Sequence, residues 1–415
     1  MTIRLLFFTI VFYSFNANYT IHPIQAASKL GEIEFPTSGS GVAQNHFIAG
    51  VAALHSFWYP EALQEFRNST KEDPSFAMGY WGEAMAHNAP LWEQQDSKSA
   101  KVALTKISNL SKLTQREKYY IQAVQLLYGE GEKTTRDQAY SKAMNNIYTK
   151  YPNDLEAACF YSLSLLGIAR NTKKNIKLKV DSGAIALEIY EKDPDHPCAA
   201  HYAIHAFDHP DLARLALPSA QRYAKIAPSS HHAQHMPAHI FIQLGMWSEA
   251  AKSNESGWTT SKKWVDREKL AKSNRDYHSL QWLHYVYTQQ GLMRKAEAVF
   301  KTQQNDMLEG IQAAAKSKPN PNLRSGKYYY RMFAATILET EQWEKAKQLV
   351  PPNGWKPKKF SKAGYSFVRG YAAAMQGNDD AKKYILELKT IRDKGFRKNH
   401  FSRSEYLEVW ELEIK

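Results

Sequence analysis

The sequence predicts an all-α superhelical solenoid built from stacked α-α hairpins, and two observations carry that prediction. Between Asp193 and Trp247 the chain repeats itself: Pro194 recurs as Pro228, His201 as His235 and His205 as His239, each pair 34 residues apart. In AQNHFIAGVAALHSFWYPEALQEFRNSTKEDP, the small Gly50 and Ala62, the aromatic Phe66 and the closing Pro74 take the spacing that lets two helices pack closely and then end. Ala84 falls at the position of Gly50 in the next helix.

A period of 34 residues is the tetratricopeptide length, one helical hairpin per repeat. On that frame both HxxxH pairs occupy positions 5 and 9 of a hairpin's first helix. Hairpins of this kind bury their apolar faces against their neighbours, so one array can run through a chain of 415 residues without a conventional domain boundary.

Taken in order, MTIRLLFFTIVFYSFNA puts one Arg before an apolar run from Leu5 to Phe15, too short for a comfortable membrane span. Ala26-Ala27-Ser28 supplies small residues for cleavage, so residues 1–28 read as a signal peptide. The mature chain is expected to be exported, periplasmic or secreted, with no membrane span. No cysteine follows the apolar run, so no lipid attachment is expected there. Residues 29–42 form a lead-in segment without periodicity, and tetratricopeptide hairpins are expected over 43–89. Non-standard hairpins with longer links fill the middle, 90–153, where TQREKYYIQAVQLLYG and TRDQAYSKAMNNIYTKYP are amphipathic. Hairpins resume over 154–350, with NTKKNIKLKVD (171–181) read as a basic loop inserted into one expanded repeat. Gly245 with Trp247, Gly291 with Met293, and Trp343 with Ala346 each mark a turn that opens a second helix, while 317–326 is a loop by its Pro and Asn content. Residues 351–415 make a last hairpin and a helix, FSRSEYLEVWELEIK, that covers the otherwise open end of the array.

The charge of +13, from 54 Lys and Arg against 41 acids, is spread along the chain without an RGG or Lys-run tract. Together with an export signal this argues against nucleic acid. It suits a solvated helix exterior, or a preference for acidic surfaces, polysaccharides or an acidic peptide. Of the two cysteines, Cys159 and Cys198, an oxidising compartment permits a bond, while their Ala-rich helical settings suit buried free thiols equally. No GxSxG, P-loop, dinucleotide or CxxC motif occurs.

Two imidazoles at i and i+4 share one helix face and can reach one metal. Packed helix axes lie about 8–10 Å apart, so pairs from adjacent repeats can converge on a shared ion. His201, His205, His235 and His239 are therefore the candidate metal ligands, for Zn or another divalent transition metal. Asp276 and His278 open the following first helix and offer a further ligand or a supporting carboxylate. Against a metal, the two pairs share one repeated frame, Pro237 predicts a kinked or late-starting helix between His235 and His239, and imidazole also serves as an ordinary groove donor. HYAIH and HMPAH lack the glutamate of HExxH, and Glu83, Asp208 and Asp276 are alternative bases by type only. His55 and His87 are expected to cap or pack within their own hairpins, and Trp58, Trp81, Trp92, Trp247 and Trp343 to sit at hairpin contacts.

In HSFWYPEA, YWGEAMAH, HYAIHAFDHP and HMPAHIF before a Gly-x-Trp turn, the chain resembles a group of bacterial exported tetratricopeptide-repeat proteins. The resemblance implies no particular activity. It implies a partner-binding scaffold with a concave groove lined by first-helix positions, here Trp81, Cys159, His201, His205, His235, His239, His278, Gln281, Tyr285 and Arg331. The family's peptide-carboxylate clamp uses Lys and Asn at such positions, where this chain carries histidine. Two functions are expected: an exported scaffold holding a protein or extended ligand in the groove, or a metal-binding protein or metal-dependent enzyme built on the groove histidines.

Overall fold

The computed structural model describes residues 29–108, 110–169, 176–315, 326–351, 357–395 and 401–415. The expected signal peptide and residues 317–325 of the expected loop lie outside the described residues.

Helices run in antiparallel pairs along the chain. The pairs are α1 (Gly41–His55) with α2 (Tyr59–Glu72), α3 (Ala77–Ala86) with α4 (Ser97–Leu104), α5 (Gln115–Leu127) with α6 (Lys133–Lys150), and α7 (Leu155–Ala169) with α8 (Ile176–Lys192). After these come α9 (Pro197–Ala206) with α10 (Leu217–Ile226), α11 (His231–His235) and α12 (Pro237–Gln243) with α13 (Trp247–Arg267), and α14 (Tyr277–Gln289) with α15 (Met293–Ala315). α16 (Gly326–Thr340), α17 (Lys359–Met375), α18 (Asp380–Gly395) and the covering helix α19 (Phe401–Ile414) finish the array. This is the expected tetratricopeptide-like solenoid. None of the described helices is long and apolar enough to cross a membrane.

Small residues set the hairpin spacing. Phe66 of α2 is fully buried between Gly50 of α1 and Gly82 of α3, where an added Cβ would lie 2.7 or 2.2 Å from its ring. The turns close in a common way: after Gly245, Gly291 and Gly377, all with positive φ, the next N–H reaches back five residues to a helix carbonyl. The α1–α2 turn closes in the same way without glycine, as does the turn after α13 at Lys269. Phe57 takes the left-handed slot at φ 53, and Trp58 N–H bonds Ala53 O at 2.9 Å. An L side chain there costs roughly 1–2 kcal/mol, so the neighbours must hold the ring in place.

Those neighbours belong to distant repeats. The solenoid curls enough that α1 packs on α9, Trp58 meets Trp264 at 6.0 Å between ring centres, and Arg267 comes within 3.8 Å of Glu61. The first hairpin turn therefore sits in the concavity of the later repeats. The lead-in segment crosses the array: Lys29 and Ser229 exchange backbone and side-chain bonds, Ser38 donates to Glu117, and Phe35 is buried against Phe47, Trp81 and Tyr120.

Three local expectations change. Ile176–Asp181, read as part of an inserted basic loop, is the first part of α8; Lys177 and Asp181 pair across one turn there. Trp343–Gln348 forms a 3-10 turn rather than a full second helix. The non-standard middle includes a short antiparallel pair, Asn88–Ala89 with Gln94–Gln95, around a turn that leaves Trp92 45% exposed. Cys159 and Cys198 are joined, with Cα atoms 6.0 Å apart, and so cross-link α7 to α9.

Candidate functional site

α9, α11–α12 and α14 are successive first helices; His205, His231, His232, His239 and His278 from them line one cavity, and His201 and His235 are fully buried. Pro237 interrupts the hydrogen-bond ladder, as expected, yet Met236 keeps helical dihedrals (φ −54, ψ −37). The helix breaks into α11 and a second helix, α12, that starts at Pro237, and His235 and His239 nevertheless meet. Their Nε2 atoms are 3.1 Å apart.

The four predicted ligands do not converge on one point. They split between two triads, each completed by a histidine from a neighbouring helix: His201, His205 and His232, and His235, His239 and His278. Within each triad one ring nitrogen from every member lies within 4.8 Å of the others. The rings of His205 and His239 come to 6.4 Å between centres, so the triads are adjacent but separate.

Hydrogen bonds determine which nitrogen of each ring is free. Asn254 donates its amide N–H to Ala250 O at 2.8 Å, so its Oδ1 accepts from His235 Nδ1 at 2.7 Å. The Asp208 carboxylate accepts from His239 Nδ1 at 2.8 Å and from Gln243 at 3.1 Å. His201 Nδ1 donates to the backbone carbonyl of His55 at 2.6 Å, which leaves its Nε2 facing His232 Nε2 at 3.1 Å. In His201, His235 and His239 the Nδ1 proton is thus committed to these acceptors and Nε2 faces another histidine of the same triad.

Burial keeps most of these rings neutral. It lowers the His201 pKa to about 3, despite the opposing bond to the His55 carbonyl, and His278 to about 4. Burial first, and neighbouring imidazoles second, hold His232 and His235 well below the usual range. Asp276 caps α14, accepting from the backbone of His278 and Ser279, the Ser279 hydroxyl and His231 Nδ1. Burial works to raise its pKa, but the His231 bond and the surrounding imidazoles hold the carboxyl below the usual carboxylate range.

Beneath the first triad lies a second polar layer. His55 bonds the Tyr202 hydroxyl through Nδ1 at 2.8 Å and the buried Glu156 through Nε2 at 2.6 Å; Glu156 also meets His196 Nε2 at 3.1 Å. Burial would raise the Glu156 pKa, but the two histidines bring it down to about 2. His55 therefore joins α1 to α7 and α9, correcting the expectation that it serves its own hairpin. His87 does end α3, as its C-cap.

The cavity has a volume of about 530 Å³. Phe57, Trp92 and Tyr328 supply aromatic walls, and Lys179, Lys327 and Arg331 stand around it. Phe57 lies 4.3 Å from the His201 ring and 5.4 Å from His205, between centres. Trp282 packs on His239 at 4.3 Å. Of the other expected groove residues, Arg331 is exposed at the cavity and donates to the half-buried Gln281 at 3.4 Å. Tyr285 sits away from the cavity lining, beside Trp247. Trp81 is not a groove residue: it is 1% exposed in the aromatic core and donates to Tyr120 O. Cys159 is likewise removed from the groove, buried in its disulfide. Glu83 pairs with Arg67 and does not line the cavity.

Sequence reasoning missed His232, Asn254, Phe57 and Lys179 as parts of the site. His232 had a visible signal, one turn before His235 in HHAQH. Asn254 reaches the site from α13, the second helix of the same hairpin, and Lys179 from α8, which packs on α9, while Phe57 arrives from a turn whose position depends on the superhelical curl.

No family model matches the chain, and no curated protein matches it. Among solved structures it is similar to a human IFIT1 dimer with m7Gppp-AAAA, at 13% identity over 86% of this chain and 90% of that one, with a TM-score of 0.31. It is also similar to the P58(IPK) TPR domain, at 13% identity over 90% and 98%, with a TM-score of 0.21. At these values the likenesses add nothing to the architecture seen directly. Fold and site together define a tetratricopeptide-like helical solenoid whose concave wall carries two histidine triads.

Proposed function

We propose that this protein is an exported solenoid that binds a divalent transition metal, Zn²⁺ foremost, in its concave cavity. His235, His239 and His278 would form one site and His201, His205 and His232 the other. A single observation carries the reading: His235 and His239 point Nε2 lone pairs at each other across 3.1 Å, with both Nδ1 protons donated to acceptors behind them. Two lone pairs at that distance repel unless a cation lies between them. Two nitrogen ligands of a tetrahedral zinc are separated by about 3.3 Å, given Zn–N bonds near 2.0–2.1 Å. The carboxylate of Asp208 and the amide of Asn254 stand where metal-binding histidines are commonly oriented from behind. Three histidines would leave a fourth position for water or a ligand, the open form of zinc site that supports chemistry.

The Cys159–Cys198 bond fits the oxidising compartment that export would supply. The test is elemental analysis of untagged, natively purified protein. A shared proton in place of a metal would give a metal-free groove instead, and the absence of stoichiometric metal after native purification and after incubation with zinc would establish that alternative.

A further inference from the structure

We infer that the cavity takes an oxyanion, the phosphate or carboxylate end of a small ligand, held between the histidine-bound metal and the cations around it. This rests on the metal reading above. The charges lining the cavity are Lys179, Lys327 and Arg331 against Asp208 and Asp276. Each carboxylate accepts from an imidazole N–H, Asp208 from His239 and Asp276 from His231. Arg331 has an amide partner in Gln281 and no carboxylate partner among the described residues. Lys179, from α8, lines the same cavity and makes no ion pair among the described residues. Three cations thus line the cavity against two carboxylates, and a bound divalent ion would add further positive charge.

An oxyanion answers both features. It can take the open coordination position of a three-histidine site with one oxygen and accept from the planar guanidinium of Arg331 with another. The remainder of the ligand would lie on Phe57 and the exposed ring of Trp92, which line the same space. A volume of about 530 Å³ suits a small molecule.

The experiment is calorimetric titration of the zinc-loaded full-length protein with inorganic phosphate and, separately, acetate. The parent is compared with an Arg331→Gln, Lys179→Gln double variant, and zinc content and melting temperature are measured on each sample. The expected result is that at least one anion binds the parent and binds the variant roughly tenfold or more weakly, the loss of a charge-assisted hydrogen bond, with zinc content unchanged. The anion that binds tighter identifies phosphate or carboxylate as the ligand's end. Full zinc occupancy with neither anion bound overturns the inference and leaves the metal reading standing. Equal binding by parent and variant overturns it as well, by placing the anion elsewhere. Failure to take up zinc removes both.

Discussion

His235 and His239, separated by a proline and one helical turn, place their Nε2 atoms 3.1 Å apart, and each ring has its Nδ1 proton held by a different element. Asn254 of α13 holds one, and Asp208, just beyond α9, holds the other. Neither ring can turn its N–H toward the other without leaving a polar atom unpaired behind it. On the proposed metal reading the pair receives a cation, and the consequences can be measured.

With a metal bound only by the folded state, mass action stabilises it by about 2.7 kcal/mol when free metal is 100-fold above its dissociation constant. Zinc should raise the melting temperature of the parent, and a chelator should lower it. A His235→Ala, His239→Ala double variant should lose the response attributable to that site. A parent whose melting curve is the same with zinc and with chelator would end the metal reading.

Asn254→Leu keeps the side-chain volume of a buried position but removes the acceptor that orients His235. Outer hydrogen bonds of this kind are worth about 10–100-fold in metal affinity. Competition titration against a chromophoric chelator should show a loss of that size with full-length protein still folded. Unchanged affinity would mean that Asn254 only packs.

His284 gives a pH dependence away from the triads. Its Nε2 meets the Thr336 hydroxyl, which donates to Met332 O, so His284 supplies the proton and keeps a buried Nδ1 lone pair with no partner among the described residues. Burial lowers its pKa to about 4. The unfolded chain, with an ordinary histidine pKa near 6.5, binds more protons between those values. Stability from this group is therefore present above about pH 6.5 and lost as pH falls toward 4, at about 1.4 kcal/mol per pKa unit. Denaturant midpoints measured from pH 7 to 4.5 should fall less for His284→Gln than for the parent; parallel curves would contradict the assignment.

The Cys159–Cys198 bond closes a separation of 39 residues between α7 and α9. Chain-entropy reasoning assigns such a loop about 4 kcal/mol of stabilisation. A Cys159→Ala, Cys198→Ala variant should melt well below the parent under non-reducing conditions, and reductant should narrow the gap by weakening only the parent. Coincident melting curves without reductant would show that the bond contributes nothing.

Much of the architecture was legible because its causes are local. The 34-residue recurrence, the glycine turns and the close approach at Gly50 and Ala84 are consequences of helix geometry that any one hairpin expresses. The histidine pairs were legible for the same reason, since i and i+4 share a face. Trp81 misled because a first-helix position says which way a side chain points and not what covers it; here Phe35 of the lead-in segment and Tyr120 bury it.

By itself the sequence determined a helical solenoid, the placement of two HxxxH pairs in equivalent frames, and the pairing of Asp276 and His278 with the start of the next first helix. Only the tertiary structure decided that the pairs serve two triads, that His232 and His278 complete them, and that Phe57 enters from a turn nearly 150 residues away from His201 and His205. Local periodicity sets the face a residue occupies, but the rotation between successive hairpins sets which faces meet. Small rotations summed over four repeats bring α1 against α9, and no single repeat contains that sum.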